Sequence, residues 1–353
     1  MVLYAFGIIL GNIPWKPVEM PLMQQLATNI SIPLAIPMML FGCRFTLSDA
    51  SQQLRVCISG FLSVLVAVVI GYMIYGHKIP EGAEIGGIMS GMYTGGMVNA
   101  AALQSIFQVE EQSYIIMCSY DVVISFLYLI FLVSVGYKLF RWMYGEKQTT
   151  TLTDEERREL EMQIAEQSRN PYEGLWSKEG MKELGKIVGI TIVVVALSAL
   201  ATLPFPKGSF DLVFFLTLST LGIVCSFAKP VRTLKRSFDI GMYLIYIFSI
   251  AIASMADFST LNIADGLNQI GFLMIAVFGS TMLHALFCRI MRIKADAMVA
   301  SSVAFINSPP FVPMMVMAMK NKSVLIIGLG AGIVGYAAGN YFGVLMAQLL
   351  NLL

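Results

Sequence analysis

Charge is what this chain has least of. Lys, Arg, Asp and Glu make up 13% of its 353 residues, about half of the roughly 25% usual in soluble domains. The formal net charge is +1, with no block of like charges, so no polybasic stripe for nucleic acid is present. Histidine occurs only twice, and Cys43, Cys57, Cys118, Cys225 and Cys288 form no CxxC pair, so neither a zinc site nor a disulfide framework is indicated. The P-loop, HExxH and GxSxG signatures are missing, which removes the ATPase, zinc-protease and serine-hydrolase readings. Only Asp121 lies deep in an apolar run, so a paired-aspartate intramembrane enzyme lacks its second carboxylate. A protein that is not an enzyme is expected, with no cofactor beyond a bound Na+.

What fills the chain instead is apolar. Hydrophobic residues reach 57% and mean hydropathy is +0.75. A membrane helix needs about 20 such residues. Eleven apolar segments are found, at 1–13, 27–43 (interrupted by Pro33 and Pro37), 56–75, 83–108, 113–140, 185–203, 210–228, 238–256, 268–290, 296–319 and 323–350. The fold class expected is an all-α polytopic membrane protein with about nine to eleven transmembrane segments, placed in the plasma (inner) membrane with the lipid bilayer as its first partner. Met1 already stands in an apolar segment, without a basic n-region or a small-residue cleavage site. No cleavable signal peptide is therefore expected, and the short first segment leaves room for a further helix upstream.

Three parts are read from this pattern: a first membrane repeat at 1–140, a cytoplasmic linker at 141–184, and at 185–353 an extra span followed by a second repeat. In the linker, Thr153-x-x-Glu156 spells a capping box, with Asp154, Glu155 and Glu156 in the first turn where the helix dipole favours them. Asn170-Pro171 marks the stop. The helix between is nearly all polar and reads as a solvated connection, the alternative being a docking surface. The repeat rests on spacing: 213 positions separate Phe45 from Phe258, and 208 separate Asn99 from Asn307, so the register holds through most of a half.

Each half contains one apolar segment broken by small polar residues. The first runs Ser90-Gly91-Met92-Tyr93-Thr94-Gly95-Gly96-Met97-Val98-Asn99-Ala100-Ala101. The second runs Ser301 to Pro313 through Asn307-Ser308-Pro309-Pro310. Lipid cannot hydrogen-bond a freed backbone group, so such breaks face protein or a wet cavity. The two breaks therefore mark the expected site. Inverted repeats need corresponding helices to run in opposite directions, and the two broken segments are six steps apart in the segment order. Re-entrant hairpins invert the halves, whereas full spans leave them parallel. With the linker inside, hairpins leave only Lys16, Lys78 and Lys207 outside; full spans put Arg44, Arg55, Lys207, Lys320 and Lys322 there. The positive-inside rule prefers paired hairpins, and broken helices crossing at mid-membrane remain the alternative.

A charge at mid-bilayer costs about 2.5–3.5 kcal/mol on insertion scales, so Asp121 should face a partner or a cavity. It is the main candidate for a cation or proton site, with Asn99, Asn307 and Asn340 as oxygen donors that also have the plain reading of helix-to-helix ties. Thr94, Gly95, Gly96, Ser308, Pro309 and Pro310 are the substrate-binding candidates, because half-helices starting after the breaks aim positive dipole ends inward. His284 reads either as a proton relay or as a packing residue satisfied in the core.

Thr94-Gly95-Gly96-Met97-Val98-Asn99-Ala100-Ala101 followed by Asp121, the stretch Gly335-Tyr336-Ala337-Ala338-Gly339-Asn340-Tyr341-Phe342-Gly343, and Ile32-Pro33-Leu34-Ala35-Ile36-Pro37 resemble the YjcL-like membrane family, the domain of unknown function 819. The likeness extends over nearly the whole chain. It implies membership of the cation:proton antiporter and anion transporter superfamily, with inverted repeats as in sodium/proton antiporters, bile-acid carriers or citrate carriers. It further implies a core moving against a scaffold, and a homodimer. One departure is local: Ser308-Pro309-Pro310 stands where the pattern leads one to expect a glycine pair. The function so implied is secondary transport, by Na+- or H+-coupled symport of a small organic anion or amino-acid-like solute. A cation:proton antiporter is the first alternative, and a non-transporting sensor or scaffold acting through 141–183 is the second.

Overall fold

The computed structural model describes residues 2–11, 20–43, 50–146, 152–168, 170, 172–234, 236–255 and 263–353. Lys16, Arg44, Phe45, Pro171 and Phe258 lie outside them. Among the described residues there are helices and no strand. Each of the eleven apolar segments is helical to within a few residues, because lipid leaves the backbone no partner other than itself. Among the described residues, six helices are long and apolar enough to cross a membrane: Ser51–Lys78, Glu111–Tyr144, Lys178–Ala201, Lys207–Phe227, Gly266–Ile290 and Lys322–Leu350. Pro33 and Pro37 do not interrupt the helix Met20–Leu40. Missing proline amides are tolerated in membrane helices whose neighbours cover the freed carbonyls.

The chain divides into two compact units. The first comprises Met1–Arg44, Met97–Ser119 and Asn170–Gly266; the second comprises Phe45–Gly96, Tyr120–Arg169 and Leu267–Leu353. Each unit thus draws residues from both halves of the sequence.

In the first unit, helix Met20–Leu40 is gripped by glycines of its neighbours. A Cβ on Gly222 would come 3.1 Å from Leu40 and one on Gly241 would come 2.5 Å from Met39. Small residues let helix backbones approach, and in lipid such packing is a main source of helix association. Ser237 adds a hydrogen bond to the Met38 carbonyl. At the polar end, Arg236 Nη1 and Glu183 Oε2 pair at 3.1 Å.

The second unit holds the second break. Ala295–Ile306 runs in for 12 residues, about 18 Å at 1.5 Å per residue. The chain turns through Asn307 to Phe311, and Val312–Met319 comes back. The return is fixed by contacts between the two feet: Asn321 Nδ2 donates to Asp296 Oδ2 at 2.6 Å. Arg141 grips Asp296 with Nε and Nη2 at 2.6 and 2.8 Å and the Met319 carbonyl at 2.7 Å. This is a helical hairpin.

The linker helix Asp154–Ser168 begins with the expected capping box. The Thr153 amide donates to Glu156 Oε2 at 3.0 Å and the Glu156 amide to Thr153 Oγ1 at 3.2 Å. The backbone bond from Thr153 holds the Glu156 carboxyl below its usual range. The helix is more than a solvated connection, however: Leu160 is fully buried, and Glu159 pairs with Lys322 just beyond the hairpin.

Candidate functional site

The first break sits at Gly95 (φ −142°, ψ 16°) and Gly96 (φ 75°, ψ −173°), inside helix Gly82–Phe107. Gly96 takes a left-handed φ that glycine adopts without Cβ strain. A side chain there would also meet Ser308 Oγ at 3.1 Å and the Tyr336 ring at 3.3 Å. The two breaks, 212 positions apart in sequence, are therefore neighbours within the second unit.

Helix Leu325–Leu350 passes beside both. A Cβ on Gly332 would come 2.3 Å from the Pro309 ring, and one on Gly335 would come 1.6 Å from the Thr94 carbonyl oxygen. Backbone, unlike a flexible side chain, cannot swing aside. Gly335→Ala is thus expected to displace this helix from the break and to lower stability by about 1–3 kcal/mol, measured as unfolding in detergent. A similar variant at Gly185, where a Cβ meets nothing within 4 Å, serves as the control.

Ser308 explains the departure from a glycine pair. It adopts φ 94° and ψ 154°, a conformation that costs a residue with a Cβ about 1–3 kcal/mol. The position keeps a glycine conformation and gains a hydroxyl. Ser308→Gly is expected to raise stability by about 1 kcal/mol, the relief of strain being partly offset by the entropy of glycine.

Asp121 is buried at 7% exposure. Its Oδ1 accepts two hydrogen bonds, both at 2.8 Å, from Tyr93 Oη and from Ser125 Oγ. Tyr93 stands immediately before Thr94 at the first break, and Ser125 lies one turn beyond Asp121. Ser125 in turn reaches the second break, since Asn307 Nδ2 donates to its carbonyl at 2.9 Å. That bond fixes the amide, and Asn307 Oδ1 is left buried without a hydrogen-bond partner among the described residues. An unsatisfied buried oxygen costs about 1–3 kcal/mol, which suits it to a cation. The carboxylate, the two breaks and this oxygen form one continuous polar cluster inside a single compact unit.

The family profile described as "Protein of unknown function (DUF819)" matches residues 1–353. The chain belongs to this family. It is similar to the uncharacterized membrane protein YjcL of Bacillus subtilis (strain 168), 22% identical over 363 residues that cover 99% of this chain and 88% of that protein. With its apolar helices, this member of the DUF819 family is an integral membrane protein.

The remaining sequence candidates in this DUF819 chain are placed as follows. Asn340 is 1% exposed and lies one turn beyond Tyr336 on helix Leu325–Leu350. Asn99 is 2% exposed and belongs to the first unit, three residues past the break. The Thr94 hydroxyl donates back to the Ser90 carbonyl at 2.8 Å, so it is the Thr94 carbonyl that lies against Gly335. Both ring nitrogens of His284 have hydroxyl partners, Nδ1 with Ser59 at 2.8 Å and Nε2 with Ser301 at 2.9 Å, as a packed core histidine requires. Sequence reasoning missed Tyr93 and Ser125. The second was open to view, since residues four apart on a helix face one another.

Proposed function

We propose that this DUF819 protein is a secondary transporter working by alternating access, in which Na+ or H+ drives symport of a small organic anion or amino-acid-like solute. The observation that carries the reading is the meeting of both chain breaks with Asp121 inside one unit. Broken helices combine free amide ends, which suit an anionic group, with free carbonyls, which suit a cation. In this reading Asp121, Asn307 and Asn340 bind the coupling cation. Thr94 to Gly96 and Ser308 to Pro310 hold the solute. No covalent step is involved.

The superfamily of cation:proton antiporters and anion transporters, two inverted repeats, a plasma-membrane location and a homodimer are parts of the same proposal. The hairpin of Ala295–Ile306 and Val312–Met319 supports inversion, provided the first break reverses in the same way. Single cysteines at the exposed positions Lys78 and Lys320 test this. Paired hairpins predict labelling of position 78 from outside and of 320 from inside. The reverse pattern indicates crossing helices.

Flux in proteoliposomes tests the function. Uptake of organic acids or amino acids driven by an imposed Na+ or pH gradient is the expected result. Na+-induced proton movement without any solute would instead identify an antiporter, and absence of all flux together with capture of a partner through 141–183 would indicate a sensor.

A further inference from the structure

A cavity that includes neither Asp121 nor either break lies wholly within the first unit. Its volume is about 410 Å³, inside the range of about 300–1,000 Å³ typical of small-molecule sites. Two carboxylates line it, Glu111 and Asp211, and the described lining residues include no Lys, Arg or His. Each carboxylate stands in the first turn of its helix, Glu111–Phe131 and Phe210–Phe227, where the dipole alone favours it. The dipoles do not account for both sharing one partly enclosed space, where like charges repel more strongly than in bulk water.

One side of the wall is aromatic. Phe210 and Phe214 stack with centroids 5.6 Å apart, and Phe215 meets Phe214 edge-on at 5.2 Å. All three rings line the cavity, and uncharged polar residues, Thr28, Asn29, Gln104, Ser105 and Gln108, complete its polar side. Aromatic faces attract cations, and quaternary ammonium groups are held by aromatic cages. Carboxylates beside such rings favour an alkylammonium over both an anion and a hydrated inorganic ion.

We infer that this cavity binds an organic ammonium group, with Glu111 and Asp211 as its counter-charges and the three phenylalanines as its apolar wall. A free amine and an amine-bearing lipid headgroup both carry this chemistry. The site does not depend on the transport reading.

Calorimetric titration of the purified full chain with choline, in a sodium chloride background, tests the inference. Saturable binding is expected, weakened about fivefold by Glu111→Gln or Asp211→Asn, as expected for partly exposed charge pairs, and lost in the double variant. If the group comes from lipid, choline is silent. Native mass spectrometry then shows phosphatidylethanolamine retained over phosphatidylglycerol by the wild type, and the double variant loses that selectivity. Failure of both probes overturns the inference, as does equal binding by a folded double variant. Should that variant not fold, competition on the wild type decides: tetramethylammonium displaces choline or the headgroup if the inference holds, and displacement by succinate instead overturns it.

Discussion

Arg141→Met is expected to destabilise the protein by about 3–5 kcal/mol, the usual result of stripping one partner from a buried ion pair. The Arg141 and Asp296 side chains are 8% and 10% exposed. Removing the guanidinium leaves the Asp296 carboxylate with Asn321 as its remaining side-chain partner and frees the Met319 carbonyl. Both feet of the hairpin lose their tie in one step. The measurement is denaturant unfolding in detergent, and its sharpest form is a double-mutant comparison. Arg141→Met with Asp296→Leu should recover most of the loss, because no buried charge then remains. The Arg236–Glu183 pair gives the contrast: its side chains are 27% and 22% exposed, so breaking it should cost at most about 1 kcal/mol.

The Arg141–Asp296 pair also shows where sequence reading stops. The apolar segments, the two breaks, the capping box at Thr153 and Glu156 and the burial of Asp121 all follow from residue type and spacing, which act over one or two turns. Arg141 sits at the edge of the polar linker, where topology alone accounts for a basic residue. Its true partner is 155 positions away, and no local pattern encodes such a pairing. Leu160 is likewise hidden in a polar helix, as one apolar residue among charges. Ser308 was legible as a departure from glycine, yet only its φ of 94° shows that the backbone kept the glycine conformation. The contact of Gly96 with Ser308 and Tyr336 joins three distant stretches through tertiary packing alone.

Asp121→Asn is expected to reduce ion-driven flux by about ten- to a hundredfold, matching the roughly 1.5–3 kcal/mol of a hydrogen bond to a charged group. The substitution is nearly isosteric and keeps an oxygen to accept the bonds from Tyr93 and Ser125, so the fold should survive while the charge is lost. A structural role predicts the opposite split. Replacing a buried carboxylate that only ties two helices would leave flux intact in whatever protein folds.

The decisive measurement is therefore Na+- or pH-gradient-driven uptake in proteoliposomes, wild type against Asp121→Asn, at matched amounts of folded protein. The account predicts gradient-driven uptake by the wild type and its near-complete loss in the variant, with the unfolding midpoint little changed. Equal gradient-driven uptake by the two proteins would contradict it.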